Sequence, residues 1–271
     1  MDNQRNRRFD PAVFPSLDNP HCDRFEMSSE AADKSLVDAT TALIRDRILD
    51  LSLPPATAIN TKELAQQLKL SRTPVREALN RLASEGLIRI EANHGVFVHP
   101  LDVGEINQLM EANMVAERLS GFYCDFADPG LLTDVVAMQA KQRAMLKARR
   151  FLDASFWNVG FRTRIARSSH NLHLVDFHRR VLNHTRRLSY LIYTMEARDP
   201  AHYASQLAML HGLHRDIETM LRRSDRDGLV SVLTQQAMVL RERVAGVISR
   251  SGGREFPLAP AVPRQGAKGR K

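Results

Sequence analysis

A chain of 271 residues, 43% hydrophobic and 26% charged, has enough apolar material for two folded cores. Its formal net charge of +8 suits a polyanionic partner. The two cysteines, Cys22 and Cys124, stand far apart, the opening MDNQRNRRFDP has no apolar leader and no stretch is long enough to span a bilayer, so a disulfide-stapled or membrane-embedded protein is not expected.

In chain order, residues 1–34, with Pro11, Pro15 and Pro20 among scattered charges, read as a mobile segment. Leu36, Thr40, Leu43, Arg47 or Ile48, and Leu51 then recur at helical intervals and mark an amphipathic helix that stops before Pro54-Pro55. Asn60-Thr61-Lys62-Glu63 has capping-box spacing, and Leu64, Ala65 and Leu68 carry a second helix to a short turn at residues 69–71. The next run, SRTPVREALNRLASEGLI from Ser71, starts with a hydroxyl suited to capping and a proline, Pro74, suited to the first helical position. Val75, Leu79 and Leu82 fall on one face of that helix. Arg72, Arg76 and Asn80 fall on another, where they can reach phosphates and base edges. Gly86 is expected to end the helix, and residues 87–90 and 96–98 alternate around Asn93-His94-Gly95 as a hairpin does. The order helix, helix, turn, helix, hairpin is that of a winged helix-turn-helix with a small β-hairpin wing, placed at 35–100.

Charge alone does not carry this reading. Residues 35–100 hold eight Lys and Arg against seven Asp and Glu, a balance of only +1, whereas residues 101–250 hold 21 against 16 and the tail from Ser251 five against one. The argument for DNA therefore rests on where the arginines stand. The tail, residues 251–271, reads as a basic disordered extension.

From Val103 to about Arg250 the pattern is helical throughout. Proline occurs there only at Pro129 and Pro200, each after an aspartate, so both sites read as helix starts after breaks. The spacing predicts helices near 103–125, 129–148, 150–169, 171–196, 200–222 and 226–249. The fold class expected for the chain is mainly α, with this second half an all-α bundle of six or seven helices.

The string Ser-Arg-Thr-Pro-Val-Arg-Glu-Ala-Leu at 71–79, the Pro-Pro turn and the wing glycine resemble the GntR family of bacterial transcription regulators. The resemblance implies DNA contacts by Lys62, Arg72, Thr73 and Arg76, with His94 and Gly95 at the wing tip; Asn80 joins them from its place on the same helix face. Lys62 stands where the family often has arginine, which reduces a bidentate contact to a point charge. The size and position of the second half, with FRTRIARSSHN at 161–171, HRDIETMLRRSD at 214–225 and Glu117, resemble the FCD sensing domain of the FadR branch, placed at 101–250. The second resemblance implies a repressor that a small carboxylate effector releases or modulates; two-fold symmetry suits a homodimer on a palindromic operator, and the sparse cysteines suit the bacterial cytoplasm, with the protein nucleoid-associated when bound.

In that domain four side chains hold a divalent metal, and at the matching places this chain has Asn158, Arg162, His214 and Gln236. A protonated guanidinium has no lone pair and opposes a cation. No cofactor is therefore expected; were a metal to bind, Asn158, His214 and Gln236 would be its ligands. Arg162 can instead anchor an anion directly, or pair with a buried acid in a degenerate sensor. Asn113, where the family often has an arginine, completes the expected effector set. The remaining histidines, including His170, His173, His178, His184, His202 and His211, read as exposed or singly hydrogen-bonded side chains. No nucleophile stands beside a base and no carboxylates pair, so no catalytic residue is assigned. The rival readings are an effector-independent DNA binder and a helical metal-binding enzyme with an accessory DNA module.

Overall fold

The computed structural model describes residues 29–91 and 94–250. Cys22, Asn93 of the wing turn, the basic tail and most of the expected N-terminal segment lie outside the described residues. Helix α1 spans Ser29–Leu49, beginning ahead of residue 35, and buries Val37, Ile44 and Ile48 against its neighbouring helices. Leu51 takes a left-handed φ of 65° and turns the chain toward Pro54 and Pro55.

Helix α2 (Thr61–Leu68) is capped as its sequence predicts. The Asn60 carboxamide oxygen accepts the backbone N–H groups of Lys62 (3.0 Å) and Glu63 (3.3 Å), and its amide donates to the Glu63 carboxylate at 2.8 Å. Helix α3 (Arg72–Ser84) starts differently from the expectation. Ser71 precedes it in extended conformation, yet its hydroxyl makes no cap bond, and Pro74 is the third helical residue rather than the first. Proline is harmless there because first-turn N–H groups have no intrahelical acceptor anyway.

Gly86, at a φ of +77°, turns the chain out of α3 into the wing. In the wing, β2 (Ile88–Glu91) pairs antiparallel with β3 (Gly95–Val98), Ile88 opposite Val98 and Glu91 opposite Gly95. A strand without a sequence signal, β1 (Ala58–Ile59), pairs with the other edge of β3 and gives the order β1-β3-β2. Ile48, Leu64, Val75, Leu79, Leu82 and Val98 meet in the core of this half.

The second half folds into six helices among the described residues: α4 (Val103–Phe122), α5 (Leu131–Lys147), α6 (Phe151–Arg167), α7 (Leu172–Glu196), α8 (Pro200–Arg223) and α9 (Arg226–Arg250). Pro200 opens α8 as predicted, with Asp199 accepting the N–H groups of Ala201 and His202. Pro129 does not open α5. Arg164 takes both carboxylate oxygens of Asp128, at 2.5 and 3.0 Å, and α5 starts at Leu131 after Gly130 in the left-handed region. Phe161, Ile165, Leu213, Ile217 and Leu233 fill one part of the bundle core, and Leu101, Met110, Leu188, Ile192 and Val244 another. No helix among the described residues is long and apolar enough to cross a membrane.

One helix serves both halves. Arg187 of α7, buried, donates to the backbone carbonyls of His99 (2.8 Å) and Pro100 (3.3 Å) in the linker after the wing. One turn earlier, His184 packs against Gly86 and meets the His99 ring edge to face at 5.1 Å. Farther along, Ser189 and Tyr193 of the same helix border the interior cavity of the bundle.

Candidate nucleic-acid interface and effector cavity

The first site is an open groove of about 430 Å³ between α3 and the wing. Arg72, Thr73, Arg76 and Asn80 project from α3, Thr61 stands at the start of α2, and Leu79, Ile90 and Val96 form an apolar floor. The spacing of four residues places Arg72, Arg76 and Asn80 on the exposed face, while the buried face carries Pro74, Val75, Ala78, Leu79 and Leu82. Among the described residues no acidic partner engages Arg72 or Arg76. By contrast Arg45 pairs with Glu85, and Arg81 with Asp38, on the far side of α3. The two groove arginines thus keep their donors available, whereas the Arg45–Glu85 and Arg81–Asp38 pairs tie α3 to α1. Lys62 is exposed beside Thr61 but does not line the groove, and His94 and Gly95 are exposed at the hairpin tip.

The second site lies inside the bundle. Asn158, Arg162 and Gln236 border a cavity of about 20 Å³, together with Ser189, Tyr193 and Arg243. That volume holds about one water molecule. Of the expected effector set, Asn113 lies behind Arg162 and accepts its Nη2 at 2.9 Å. His214 is not part of the cavity wall; it is fully buried edge-on against Phe161, and neither ring nitrogen has a partner in the chain. Burial, with smaller contributions from Arg143 and His211, lowers its pKa to about 3, so the imidazole is neutral.

Arg162 is committed to a buried acid. Its Nε donates to Oε1 of Glu117 at 3.0 Å, Nη2 lies 2.7 Å from the same oxygen as an ion pair, and Nε2 of His178 approaches it at 2.9 Å. Burial pushes the Glu117 carboxyl up, but Arg162 and His178 together outweigh it and hold the carboxyl below the usual range. Sequence reasoning did not assign Glu117 and His178 to the site. The available signal was that Glu117 follows Asn113 by one helical turn and so shares its face. Across the cavity, Arg243 pairs with Glu196 through both carboxylate oxygens, at 3.0 and 2.5 Å.

This donor set does not fit a resident divalent cation. An ion-paired guanidinium fills one of the four places, two others are amides, and the single imidazole faces away from the cavity. Among the described residues no three His, Cys, Asp or Glu side chains cluster as metal ligands.

Residues 36–98 match the profile of bacterial regulatory proteins of the gntR family, and residues 122–236 match that of the FCD domain. A transcriptional regulator of the TAR-I ttuE-ttuC' intergenic region of Agrobacterium vitis is 31% identical over 122 residues, covering 45% of this chain and 71% of that protein. The chain belongs to the GntR family. The Nta operon transcriptional regulator of Aminobacter aminovorans is 47% identical over 64 residues, which is 24% of this chain and 30% of that relative. The crystal structure of a transcriptional regulator of the same family from Rhodococcus sp. RHA1 superposes with a TM-score of 0.59 at 20% identity, over 79% of this chain and 98% of that one. These likenesses are to regulators and not to enzymes, and this GntR chain carries the family's winged helix and FCD bundle in one polypeptide.

Proposed function

We propose that this GntR regulator binds a palindromic operator as a homodimer through its 35–100 half, with α3 of each protomer in a major groove and the wing at its edge. Two-fold protein symmetry then matches two half-sites about one helical turn apart. Arg72, Thr73, Arg76 and Asn80 read the groove, and Lys62, His94 and Gly95 contact its rim. The observation that carries the reading is the groove of about 430 Å³ between α3 and the wing, lined by Arg72 and Arg76 with no acidic partner among the described residues.

The effector is a small organic acid bound in the 101–250 half at Arg162, with Asn113, Asn158 and Gln236 around it. His214 stands outside this set. Binding requires the cavity to open, and α7 connects that event to the winged helix because it borders the cavity at Ser189 and Tyr193 and holds the linker through Arg187. An effector acts only through different affinities for the two arrangements. The test is operator binding by fluorescence anisotropy, using the full chain and the DNA flanking its gene, with a panel of organic acids added. Release by one acid, lost in Arg162→Gln, supports the reading. Operator binding that no acid changes favours the second reading, an effector-independent DNA binder, for which the internal Arg162–Glu117 pair speaks.

A further inference from the structure

The two arginines at the cavity are held in different ways. Arg243 grips Glu196 fork to fork, one nitrogen on each oxygen. Arg162 holds Glu117 through a single oxygen: Nε, Nη2 and the His178 Nε2 all converge on Oε1, while Oε2 is buried without a donor in the chain. Side-chain exposure of Arg162 and Glu117 is 2% and 1%, so water does not supply the difference at the surface. A guanidinium bound to one oxygen forgoes the parallel pair of bonds that makes arginine–carboxylate recognition strong. Two further groups stand ready beside it. Nδ2 of Asn113 is a buried donor without an acceptor, and Oε1 of Gln236, on the cavity wall, is a buried acceptor without a donor.

We propose that Glu117 is a resident counter-carboxylate, occupying Arg162 until an acid ligand exchanges with it, and so setting the concentration at which the regulator responds. This rests on the reading of the cavity as the effector site. The exchange keeps Arg162 paired and leaves Glu117, its Oε2 without a donor, with His178 alone, and this cost sets the ligand concentration required. The incoming carboxylate takes Arg162 with both oxygens and gains the Asn113 amide, while Glu117 keeps the His178 Nε2 it already holds at 2.9 Å. Arg162 stays paired throughout, avoiding the several kcal/mol that an isolated buried charge costs. A neutral ligand of the same size has no means of displacing Glu117, so the device selects acids. It also faces the output: His178 lies on α7, six residues before His184 at Gly86, so a Glu117 that shifts its weight onto His178 loads the helix that holds the linker.

The test is calorimetric and thermal-shift titration of the full chain with sodium acetate and sodium succinate, against sodium chloride at matched ionic strength. Glu117→Asp keeps the buried charge but retracts it by one methylene; Glu117→Gln removes it. Succinate should bind Glu117→Asp at least about tenfold more tightly than wild type, and Glu117→Gln should gain several degrees more in Tm from acetate than wild type does. Should Glu117→Gln fold poorly, the Glu117→Asp titration still decides. Equal or weaker acid binding in Glu117→Asp, or no acid response in either variant, overturns the exchange. If wild-type binding is lost in Arg162→Gln while Glu117→Asp gains nothing, the effector site stands and the exchange falls. Wild-type binding that survives Arg162→Gln removes the site itself and the exchange with it.

Discussion

A side chain at Gly86 would occupy the space held by the His184 imidazole, since a Cβ built there overlaps Nε2. Gly86 is the turn out of α3 and His184 belongs to the helical bundle, so the two halves meet at a position where only hydrogen fits. The φ of +77° adds a second reason for glycine. Gly86→Ala should destabilise the full chain by about 1–2 kcal/mol through the left-handed backbone, with the overlap adding to it. In a His184→Ala background the overlap contribution should vanish and the backbone contribution remain. Chemical denaturation of the two single variants and the double variant measures this. Strict additivity would mean that the contact carries no energy.

Arg187 makes a second prediction about the same junction. Burial pulls its pKa down to about 10, so it stays protonated at neutral pH with its charge facing the His99 and Pro100 carbonyls. Arg187→Met keeps the stem, removes the charge and leaves both carbonyls without their donor, at about 1–3 kcal/mol. Hydrogen exchange should accelerate in the linker and at the start of α4. Half-site binding by the winged helix should change little, because α3 is not touched. Unaltered protection across residues 99–106 would show that the linker is held by other contacts.

The helices were legible because their boundaries are local. Asp199-Pro200 fixes the start of α8, and Asn60 with Glu63 fixes the start of α2, each through bonds spanning two or three residues. The failures are where a remote partner intervenes. Asp128 looks like a cap, but Arg164, 36 residues away, takes it. Strand β1 has two residues, too few for any alternation to register, and exists because β3 offers it an edge. The sites divide in the same way. Groove residues of α3 share one helix, and spacing alone groups them. Arg162 stands out as a departure from the family's pattern, yet its choice between an external anion and an internal acid depends on Glu117, 45 positions earlier, and His178, on a third helix. That His214 turns toward Phe161 depends on how α8 rotates in the bundle, which periodicity does not specify to within one side chain.

Arg76 and Lys62 should separate two kinds of DNA contact. Arg76 lines the groove, and Lys62 lies outside it on the exposed start of α2. Arg76→Ala should weaken operator binding by about 1–3 kcal/mol and relax sequence preference at one position of each half-site, with thermal stability unchanged. Lys62→Ala should weaken operator and random DNA about equally and lower the salt dependence by about one phosphate contact. Anisotropy titrations on both DNAs at several salt concentrations distinguish the two. An Arg76→Ala protein with full operator affinity would remove Arg76 from the reading face.

The neutral imidazole of His214 ties stability to pH. Its folded pKa of about 3, set first by burial and then by Arg143 and His211, lies below the ordinary value of 6.5 that it regains on unfolding. Below pH 6.5 the unfolded chain therefore binds a proton that the folded chain refuses, and stability falls as the pH drops from 6.5 toward 3. At pH 5 the loss from this residue is on the order of 2 kcal/mol, from about 1.4 kcal/mol per pH unit. His184, held down to about 4 by burial, His99, Arg187 and Arg180, acts in the same direction as the pH falls from 6.5 toward 4. Thermal melts of wild type and His214→Leu between about pH 7.5 and 5 measure the effect. The wild type should lose Tm steadily below pH 6.5, and the variant should follow a shallower curve. Parallel curves would mean that His214 reaches water, or a partner, in the folded protein.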